Sequence, residues 1–211
     1  MATEKKVLIT AGPTWVALDR ARVISNIASG ETGFILAEKL KKLGVKVTLL
    51  LGPGYYTKDI QGIKINRFKY FKQLKELLEE ELKNGKYAAI IHAAAVSDYA
   101  PKAPLKGKIS SGLRNLKINL VPTEKLIDNF KKFKPLFTVG FKFEPEANKA
   151  KLVKKGSALL SKAGLDLVVA NSESGGGYCA YILDGKLKHG PYFTKMGMAG
   201  QLVKLIKSGI I

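Results

Sequence analysis

Hydrophobic residues along this chain fall into short unbroken runs that are separated by stretches of helical spacing. The first run covers residues 7–10, and the second covers 45–54 and stops at Gly-Pro-Gly. Apolar runs of this length are typical of parallel strands that are buried on both faces. Further strands are predicted at 63–68, 87–96, 114–122, 135–143 and 165–171, with a hairpin at 178–190.

Between these runs, apolar residues recur at the three- and four-residue spacing of amphipathic helices. In the first such stretch Phe34, Ala37 and Leu40 share one face, and Gly44 ends the pattern. Strands that alternate with helices predict an α/β fold with a doubly wound, mostly parallel, Rossmann-like sheet, whose ligands bind at the carboxyl ends of the strands. The other predicted helices cover 71–85, 123–130 with Thr123 as its cap, 148–164 and 195–209.

The segment at 98–120 begins with prolines, glycines and lysines that follow neither pattern. A long irregular segment inside a compact domain is usually a functional loop, so we predict a lid or flap here. The chain contains neither an internal repeat nor a low-complexity linker. Residues 1–211 are therefore predicted to form one domain.

The formal charge of +19 favours anionic partners. Residues 101–162 hold fifteen Lys and Arg against four Asp and Glu, which gives +11 of that excess. Such a surface attracts phosphorylated substrates, nucleic acid or acidic membranes, and a solvated lysine-rich surface also occurs in heat-adapted proteins. Charge alone leaves these alternatives open. No apolar run approaches the roughly eighteen residues that span a bilayer, and the single cysteine favours a cytoplasmic protein.

Few residues are available for metal or covalent chemistry. His92, His189 and Cys179 are the only histidines and cysteine, and they cannot supply an ordinary zinc site. His92 lies within an apolar run, which predicts a core position with a satisfied hydrogen bond. No G-x-S-x-G motif is present, so a covalent hydrolase has no support. Metal ligands stay unassigned.

The stretch ARVISNIASGETG, residues 21–33, connects the first strand to the first helix. Free N–H groups and the positive end of a helix dipole favour a phosphate there. Arg22 can make a two-pronged contact with a phosphate or carboxylate, and Asn26 can donate from a neutral amide to a carbonyl. The spacing is not that of a P-loop, and close packing of helix on strand explains the glycines equally well. The residues predicted here to bind a nucleotide are Gly12, Ser29, Gly30 and Gly33.

The run AAAVSDY, residues 93–99, resembles a strand end that approaches a nucleotide. Its alanines let the backbone come close, although packing against a helix explains them as well. Asp98 is a candidate acceptor for a ribose or base, because a carboxylate at the end of an apolar strand needs a partner. Lys106 and Lys108 follow, either as solvated lysines or as phosphate clamps beside Arg22.

Several motifs become specific in combination. They are VLITAGPT, an aspartate followed by RVISNIASGETGFILAE, VTLLLGP, AAAVSDY with KGKI, VGFKFE and DLVVAN. Together they resemble the phosphopantothenoylcysteine synthetase (phosphopantothenate cysteine ligase) family, the ligase half of the bifunctional coenzyme A biosynthesis flavoproteins. The likeness covers nearly the whole chain.

The resemblance implies a ligase that joins 4′-phosphopantothenate to cysteine through an acyl-nucleotidyl intermediate, using CTP or ATP and Mg²⁺, as a cytoplasmic homodimer. It assigns Arg22 and Asn26 to phosphopantothenate and to catalysis, and Lys108 to phosphate binding and catalysis. It also assigns the nucleotide to Ala94, Asp98 and Phe141. The flavin-binding half is missing from this sequence, so no flavin is expected.

Four positions depart from the family pattern. Trp15 replaces a polar position, Ser111 follows Lys108 where a lysine is usual, and Leu159 and Ala163 align with two lysines. These departures leave open which nucleotide is used and whether the chain is active. The lysines that would substitute after a shift in register are Lys155 and Lys162.

Two other classes share parts of this pattern. An NAD(P)-binding Rossmann-like oxidoreductase also contains VLITAG and AAAV, and Tyr192 and Lys195 give it a candidate pair, but no serine stands suitably upstream. A non-catalytic polyanion-binding protein would explain the charge. Its aromatic residues are scattered rather than placed on one basic sheet face, so nucleic acid is disfavoured.

Overall fold

An eight-stranded sheet with helices on both faces organises the chain. The structure, a computed structural model, describes residues 5–57, 59–103, 107–133, 136–175 and 177–210. In chain order the elements are β1 (Lys6–Ala11), β2 (Trp15–Ala17), β3 (Val23–Ser25), α1 (Glu31–Lys42), β4 (Lys46–Leu51), β5 (Lys64–Arg67), α2 (Phe71–Asn84), β6 (Ala89–His92), β7 (Tyr99–Pro101), β8 (Leu120–Pro122), a 3-10 helix (Leu126–Lys132), β9 (Phe137–Phe143), α3 (Lys149–Ala163), β10 (Leu167–Ser174), β11 (Gly177–Leu183), β12 (Lys188–Tyr192) and α4 (Lys195–Ile210).

The sheet has the order β12-β11-β10-β9-β6-β1-β4-β5. The six strands from β10 to β5 are parallel, and β11 and β12 extend the sheet as antiparallel strands. The predicted doubly wound, mostly parallel sheet is confirmed. As in other sheets of this class, loops at the carboxyl ends of β1, β6 and β9 converge on one edge.

Both faces of the sheet are buried, as the unbroken apolar runs predict. Val7 and Ile9 of β1 pack in the core beneath α1 and α4, whereas Leu8 between them packs beneath α2 and the 3-10 helix. Further along the sheet, α3 places Leu152 and Leu160 on the same face as α2. Alternation within single strands therefore builds two separate cores.

Some predicted elements differ from the structure. Helix 123–130 is a 3-10 helix that starts at Leu126, and Thr123 does not cap it, because its hydroxyl donates to the carbonyl of Ser97 at 2.6 Å. The strand predicted at 114–122 shrinks to β8, which pairs with β7. The hairpin of β2 and β3 and the strand β7 were not predicted. These strands have three residues each and lie outside the main sheet, where hydrophobic alternation gives little signal.

The structure describes most of the segment predicted to form a lid, residues 98–103 and 107–120, which we call the flap. Its base is closed by the antiparallel pair of β7 and β8, and no helix or strand occurs in the described residues between them, 102–103 and 107–119. Lys106 lies outside the described residues. Within the described parts of the chain, no helix has the length and apolarity needed to cross a membrane.

His92 occupies the core position that the sequence predicts. Its Nδ1 lies 2.8 Å from the hydroxyl of Thr10, and its ring packs edge-on against Phe130. Burial lowers the pKa of His92 to about 4, from an ordinary value of about 6.5. The side chain is therefore neutral in the folded protein at neutral pH.

This burial predicts a loss of stability in weak acid. As the pH falls from about 6.5 towards 4, the unfolded chain binds a proton on this histidine while the folded chain does not, so folding becomes less favourable. We expect urea-induced unfolding, followed by circular dichroism near pH 7.5 and near pH 4.5, to show an extra loss of about 2–3 kcal/mol from this residue.

The variant His92→Gln removes that titration and His189→Gln is its control, because these are the two histidines of the sequence. His189→Gln should lose as much stability as the wild type between the two pH values, and His92→Gln should lose less. Equal losses in both variants would refute this assignment.

Candidate functional site

The first helix starts directly on the end of the first strand. Gly33 lies so close to β1 that a Cβ atom there would be 2.3 Å from the Cβ of Ala11. Gly30 is the N-cap of α1 with φ 82°, and its Cβ would lie 3.5 Å from the Cα of Gly12. The close packing that the sequence offered as one explanation of these glycines is therefore real. It places the N-terminus of α1 at the carboxyl edge of the sheet.

The first turn of α1 keeps the features of an anion site. Gly30 has no side chain with which to cap the helix, and Ser29 accepts the N–H of Glu31 on its hydroxyl at 3.3 Å. The carboxylate of Glu31 would repel an anion, but Lys195 holds it at 2.8 Å. The positive end of the helix dipole thus faces the space beside Gly12.

Asn26 connects this helix start to the loop after β6. Its side-chain Nδ2 donates to the carbonyls of Ala95 at 3.0 Å and Val96 at 3.2 Å. The N–H of Ala95 in turn donates to the carbonyl of Gly12 at 2.9 Å. Asn26 is exposed at the same edge as Gly12, and its amide must rotate before it can donate to a ligand.

Arg22 and Asn26 flank the short strand β3, which pairs with β2. Three residues of extended chain lie between them, so their Cα atoms are about 13 Å apart. Arg22 therefore lies beyond the sheet edge, towards the lid. The hairpin thus connects Asn26, near the start of α1, to the lid segment that carries Lys108.

A buried aspartate, Asp19, brings Arg22 to the lid. One carboxylate oxygen accepts the N–H groups of Ala21 and Arg22, both at 2.7 Å. The other accepts Nη1 of Arg22 at 2.6 Å and the N–H of Ile109 at 2.8 Å. We call residues 19–22 and 107–109 the hairpin–flap clamp.

The clamp holds Lys108 from both sides. The N–H of Arg20 donates to the carbonyl of Gly107 at 3.1 Å, and Nη1 of Arg22 donates to the carbonyl of Ile109 at 3.2 Å. Lys108 itself is exposed between these anchors. Arg22 and Lys108, which the sequence suggests as phosphate clamps, therefore both start from the same small cluster.

The clamp depends on a charged Asp19, whose side chain has no exposed surface. The N–H of Ile109 contributes most to lowering its pKa; burial opposes this, and Ala21 and Arg22 add further hydrogen bonds. The carboxylate therefore stays ionised well below its ordinary range. The sequence analysis noted this aspartate only as part of a motif. The available signal was the spacing of Asp19 and Arg22, because an aspartate three residues before the end of a turn often accepts hydrogen bonds from the turn's backbone.

The remaining nucleotide candidates lie on the neighbouring strand ends. Ala94 follows β6, and its N–H donates to the hydroxyl oxygen of Thr10 at 3.3 Å. Asp98 is exposed and pairs with Lys125. Phe141 lies partly buried on β9, which pairs with β6. They share the edge where the α1 N-terminus is found.

Three of the four departures from the family pattern pack against other side chains, and the fourth, Ser111, is exposed. Trp15 packs edge-on against Tyr70, with ring centres 6.1 Å apart, and Leu159 and Ala163 pack in the core beneath α3. Lys162 lies in the last turn of α3, where its carbonyl accepts from Lys131 at the amino-terminal edge of the sheet. Lys162 therefore cannot replace a lysine of the site.

The structure also bears on the oxidoreductase alternative and on metal binding. Lys195 is paired with Glu31 and Glu173 rather than with Tyr192, which removes the candidate pair of an oxidoreductase. Among the described residues, no group of three or more His, Cys, Asp and Glu side chains could hold a metal ion.

Comparison with known proteins identifies the family of this chain. Residues 2–208 match the sequence model of the DNA/pantothenate metabolism flavoprotein C-terminal domain. The coenzyme A biosynthesis bifunctional protein CoaBC of Thermococcus kodakarensis is 37% identical over 173 residues, which is 80% of this chain. The chain spans 41% of the length of that relative.

Solved structures show the same fold. The DNA/pantothenate metabolism flavoprotein from Streptococcus pneumoniae superposes with a TM-score of 0.86 at 26% identity, covering 97% of this chain and 99% of that one. A variant of Cab2 in complex with phosphopantothenate-cysteine gives a TM-score of 0.79 at 19% identity, covering 97% and 87%.

The clamp gives a direct prediction. Replacing Asp19 by Asn removes the charge and one acceptor oxygen, so the backbone of residues 107–109 should detach from the hairpin. We expect amide hydrogen exchange at Ile109 to become roughly tenfold faster or more, measured by mass spectrometry of the flap peptides.

Asp59→Asn is the matched control, because it also removes an aspartate that contacts an arginine, Arg67, at 2.9 Å, but outside the clamp. That variant should leave exchange at residues 107–109 unchanged. Unchanged exchange in Asp19→Asn would show that the clamp does not hold the flap.

Proposed function

The chain belongs to the DNA/pantothenate metabolism flavoprotein C-terminal domain family, and on that premise we propose that residues 1–211 form one phosphopantothenate–cysteine ligase domain of coenzyme A biosynthesis. The carboxylate of 4′-phosphopantothenate attacks the α-phosphate of CTP or ATP, which releases pyrophosphate and gives an acyl-nucleotidyl anhydride. The amine of cysteine then attacks the acyl carbon, and the nucleoside monophosphate leaves as the amide forms. A cytoplasmic location follows from this role.

The observation that supports the proposal is the hairpin–flap clamp, which β3 connects to Asn26 and the start of α1. The first step brings a carboxylate against a triphosphate, and these anions repel one another unless cations neutralise them. Lys108 supplies an exposed cation, and Arg22, whose charge Asp19 partly offsets at Nη1, supplies a guanidinium group on a side chain that is 41% exposed. Asp19 fixes the backbone from which both side chains project. The free N–H groups of α1 add a third positive region.

The nucleotide is proposed to lie along the carboxyl edge of the sheet. Its phosphates approach the start of α1, and its base and ribose approach Ala94, Asp98 and Phe141 on the neighbouring strand ends. Asn26, at the junction, turns its amide to donate to the acyl carbonyl oxygen, where negative charge develops in the second step. The residues proposed to contact the phosphates are Gly12, Ser29, Gly30, Gly33 and Lys108.

Mg²⁺ fits this site through the substrates. The described residues hold no three-ligand metal cluster, and Mg²⁺ commonly binds substrate phosphates and water with only one or two protein carboxylates. The ion would neutralise phosphate charge beside Arg22 and Lys108. No flavin is included in the proposed reaction, because neither of its steps transfers electrons.

We also propose a homodimer formed through the hairpin and the flap. Several apolar side chains there are exposed, among them Ile27, which is fully exposed, and Leu113 and Leu116 in the flap. Leu120 and Val121 of β8 are also exposed, and the hairpin contacts the flap through β2 and β7. Exposed apolar side chains on two neighbouring segments of a highly charged protein support an interface with another molecule.

The activity is tested by supplying 4′-phosphopantothenate, cysteine and Mg²⁺ with each nucleoside triphosphate in turn. We expect pyrophosphate release and the mass of phosphopantothenoylcysteine with CTP, ATP or both. Asn26→Ala and Lys108→Ala should each lower kcat by about a hundredfold or more, since each removes a group that stabilises charge in the reaction.

Lys117→Ala is the control for Lys108→Ala, because Lys117 is an exposed lysine of the same segment outside the clamp. It should keep full activity. A pure protein that turns over none of the four nucleotides would contradict the proposed function.

The dimer is tested by sedimentation of the double variant Leu113→Asp and Leu116→Asp. Two charges in an apolar interface are not compensated, so the variant should sediment as a monomer while the wild type sediments as a dimer. Leu187→Asp, at an exposed leucine of the β11–β12 turn, should remain dimeric. A monomeric wild type would contradict this proposal.

A further inference from the structure

A cavity of about 630 Å³ lies at the amino-terminal edge of the sheet, opposite the candidate functional site. It extends across the starts of four neighbouring strands, β10, β9, β6 and β1, and the C-terminal end of α4 forms one side. Its volume is within the range of small-molecule sites. The described lining residues include none of those assigned to phosphopantothenate, nucleotide or catalysis. The cavity is therefore separate from the site at the carboxyl ends of the strands.

The wall of this cavity is strongly cationic. Among its described lining residues Asp166 is the one acidic side chain, whereas the lysines are Lys5, Lys6, Lys86 and Lys131. Oδ2 of Asp166 accepts the N–H of Thr138 at 2.7 Å and its hydroxyl at 2.8 Å, so this carboxylate is hydrogen-bonded to the start of β9. Four ammonium groups against one carboxylate leave a net charge of about +3. The wall therefore attracts an anion.

Helix ends account for two of these lysines. The C-termini of α2, α3 and α4 lie at this edge and carry partial negative charge, which lysines commonly neutralise. Nζ of Lys5 donates to the carbonyl of Ile210 at the end of α4. Nζ of Lys131 donates to the carbonyl of Lys162 in the last turn of α3, at 3.3 Å. An ammonium group has three N–H donors, so both lysines keep donors for a ligand.

The other two lysines are not explained by helix ends. Nζ of Lys6 lies over the ring of Tyr87, 4.7 Å from its centre. Glu81, which the charge of Lys6 also influences, pairs instead with Lys64 at 2.6 Å. In the described structure the side chain of Lys86 has neither a hydrogen bond nor an ion pair. The ammonium groups of Lys6 and Lys86 are therefore available to an anion.

The backbone constrains two of the lysines at the wall. A Cβ atom on Gly164, which has a φ of 59°, would be 2.3 Å from Cε of Lys131, so the stem of this lysine packs on a position that only glycine leaves open. Lys86 has a φ of 44°, a left-handed conformation that is uncommon for residues other than glycine. Such backbone strain is concentrated at functional sites. The fold therefore holds both residues in place beside the cavity.

Apolar side chains form the rest of the wall. Leu136 and Phe137 are partly buried at the start of β9. Helix α4 approaches them at Gly209, where a Cβ atom would be 2.4 Å from the ring of Phe137. An inorganic anion gains nothing from apolar surface, whereas an organic anion can bury its carbon skeleton against it. The combination of lysines and apolar side chains therefore favours an organic anion.

We propose that this cavity binds an organic phosphate, with its phosphate group held by Lys6, Lys86 and Lys131 and its apolar part against Leu136 and Phe137. A phosphate monoester carries almost two negative charges at neutral pH, which the two available ammonium groups and the third, anchored one neutralise. The inference does not rest on the proposed function, because the cavity and the candidate functional site lie at opposite edges of the sheet.

The test uses pyridoxal 5′-phosphate, an aromatic phosphate whose aldehyde condenses with a lysine amine to an imine with loss of water. Borohydride reduces the imine to a stable secondary amine, which mass spectrometry of peptides then locates. At about 0.15 M salt, where distant surface charges are screened, we expect at least one lysine of the cavity to be modified about tenfold faster or more than Lys154 and Lys204. These two are exposed lysines of α3 and α4 outside the cavity.

Two further compounds separate phosphate recognition from general lysine reactivity. Pyridoxal has the same ring and aldehyde without the phosphate, so it should show no preference for the cavity. Phenyl phosphate has an aromatic ring and a phosphate but no aldehyde. In excess it should slow the modification of the cavity lysines by pyridoxal 5′-phosphate and leave that of Lys154 and Lys204 unchanged.

Calorimetric titration with phenyl phosphate then locates the site. The double variant Lys86→Gln and Lys131→Gln should bind it about tenfold more weakly or worse, since two charged hydrogen bonds are lost. The double variant Lys154→Gln and Lys204→Gln removes the same charge elsewhere and should bind as the wild type does. Lys108→Ala, which changes the candidate functional site, should also leave this binding unchanged.

Three results would overturn the proposal. The first is modification of the cavity lysines that is no faster than that of Lys154 and Lys204, or that shows the same preference with pyridoxal. The second is equal weakening of phenyl phosphate binding in both double variants, which would indicate a general attraction to the charged surface. The third is weakening in Lys108→Ala alone, which would place the phosphate in the candidate functional site.

Discussion

The contact between Gly33 and Ala11 sets the position of everything at the carboxyl edge. A side chain at residue 33 would collide with β1, so only glycine lets α1 begin directly on the end of that strand. Once α1 lies there, its first N–H groups face the space beside Gly12, and Glu31 reaches Lys195 at the start of α4. The same close approach therefore shapes the candidate phosphate site and also brings Glu31 beside Lys195. A glycine pair explained by packing is thus also what makes a helix N-terminus available to a ligand.

The flap is hydrogen-bonded to the hairpin of β2 and β3 through Asp19, rather than to the main sheet. Asp19 uses both oxygens, and its partners belong to the hairpin and to the flap. Because these bonds are made to the backbone of residues 107–109, the position of Lys108 follows the hairpin. Asn26 then connects the hairpin to the loop after β6. A chain of contacts leads from the sheet edge through Asn26 and Asp19 to Lys108, and it gives a physical route by which the cations of the lid are aligned with the helix start.

The sequence predicted the parts of this arrangement that depend on burial. Unbroken apolar runs identified the strands of the central sheet, and glycines marked the ends of α1, α2 and α3, because both signals come from local steric and solvent effects. It missed the three-residue strands and Asp19, whose role depends on the N–H of Ile109, ninety residues away. It also missed the ion pairs of Lys195, since Glu31, Glu173 and Lys195 meet only through the fold. Arg22 and Lys108 were predicted as partners through motif resemblance, and the sequence contained no signal for how they are joined.

The departures from the family pattern have a consequence for charge. Leu159 and Ala163 belong to a packed core, and the nearby Lys162 lies at the opposite edge of the sheet, so α3 brings no lysine in their place. The hydrogen bond from Lys142 lowers the pKa of Glu144 against the effect of burial, and the charges of Lys142, Lys151 and Lys155 add to this lowering. Lys155, midway along α3, is thus close to a carboxylate that Lys142 and Lys151 already pair with. In the proposed reaction, neutralisation of the substrates by the protein then depends on Arg22, Lys108 and the α1 N-terminus. With fewer fixed cations, the proposed reaction depends more strongly on Mg²⁺ carried in with the nucleotide, because the repulsion between two phosphorylated substrates does not change.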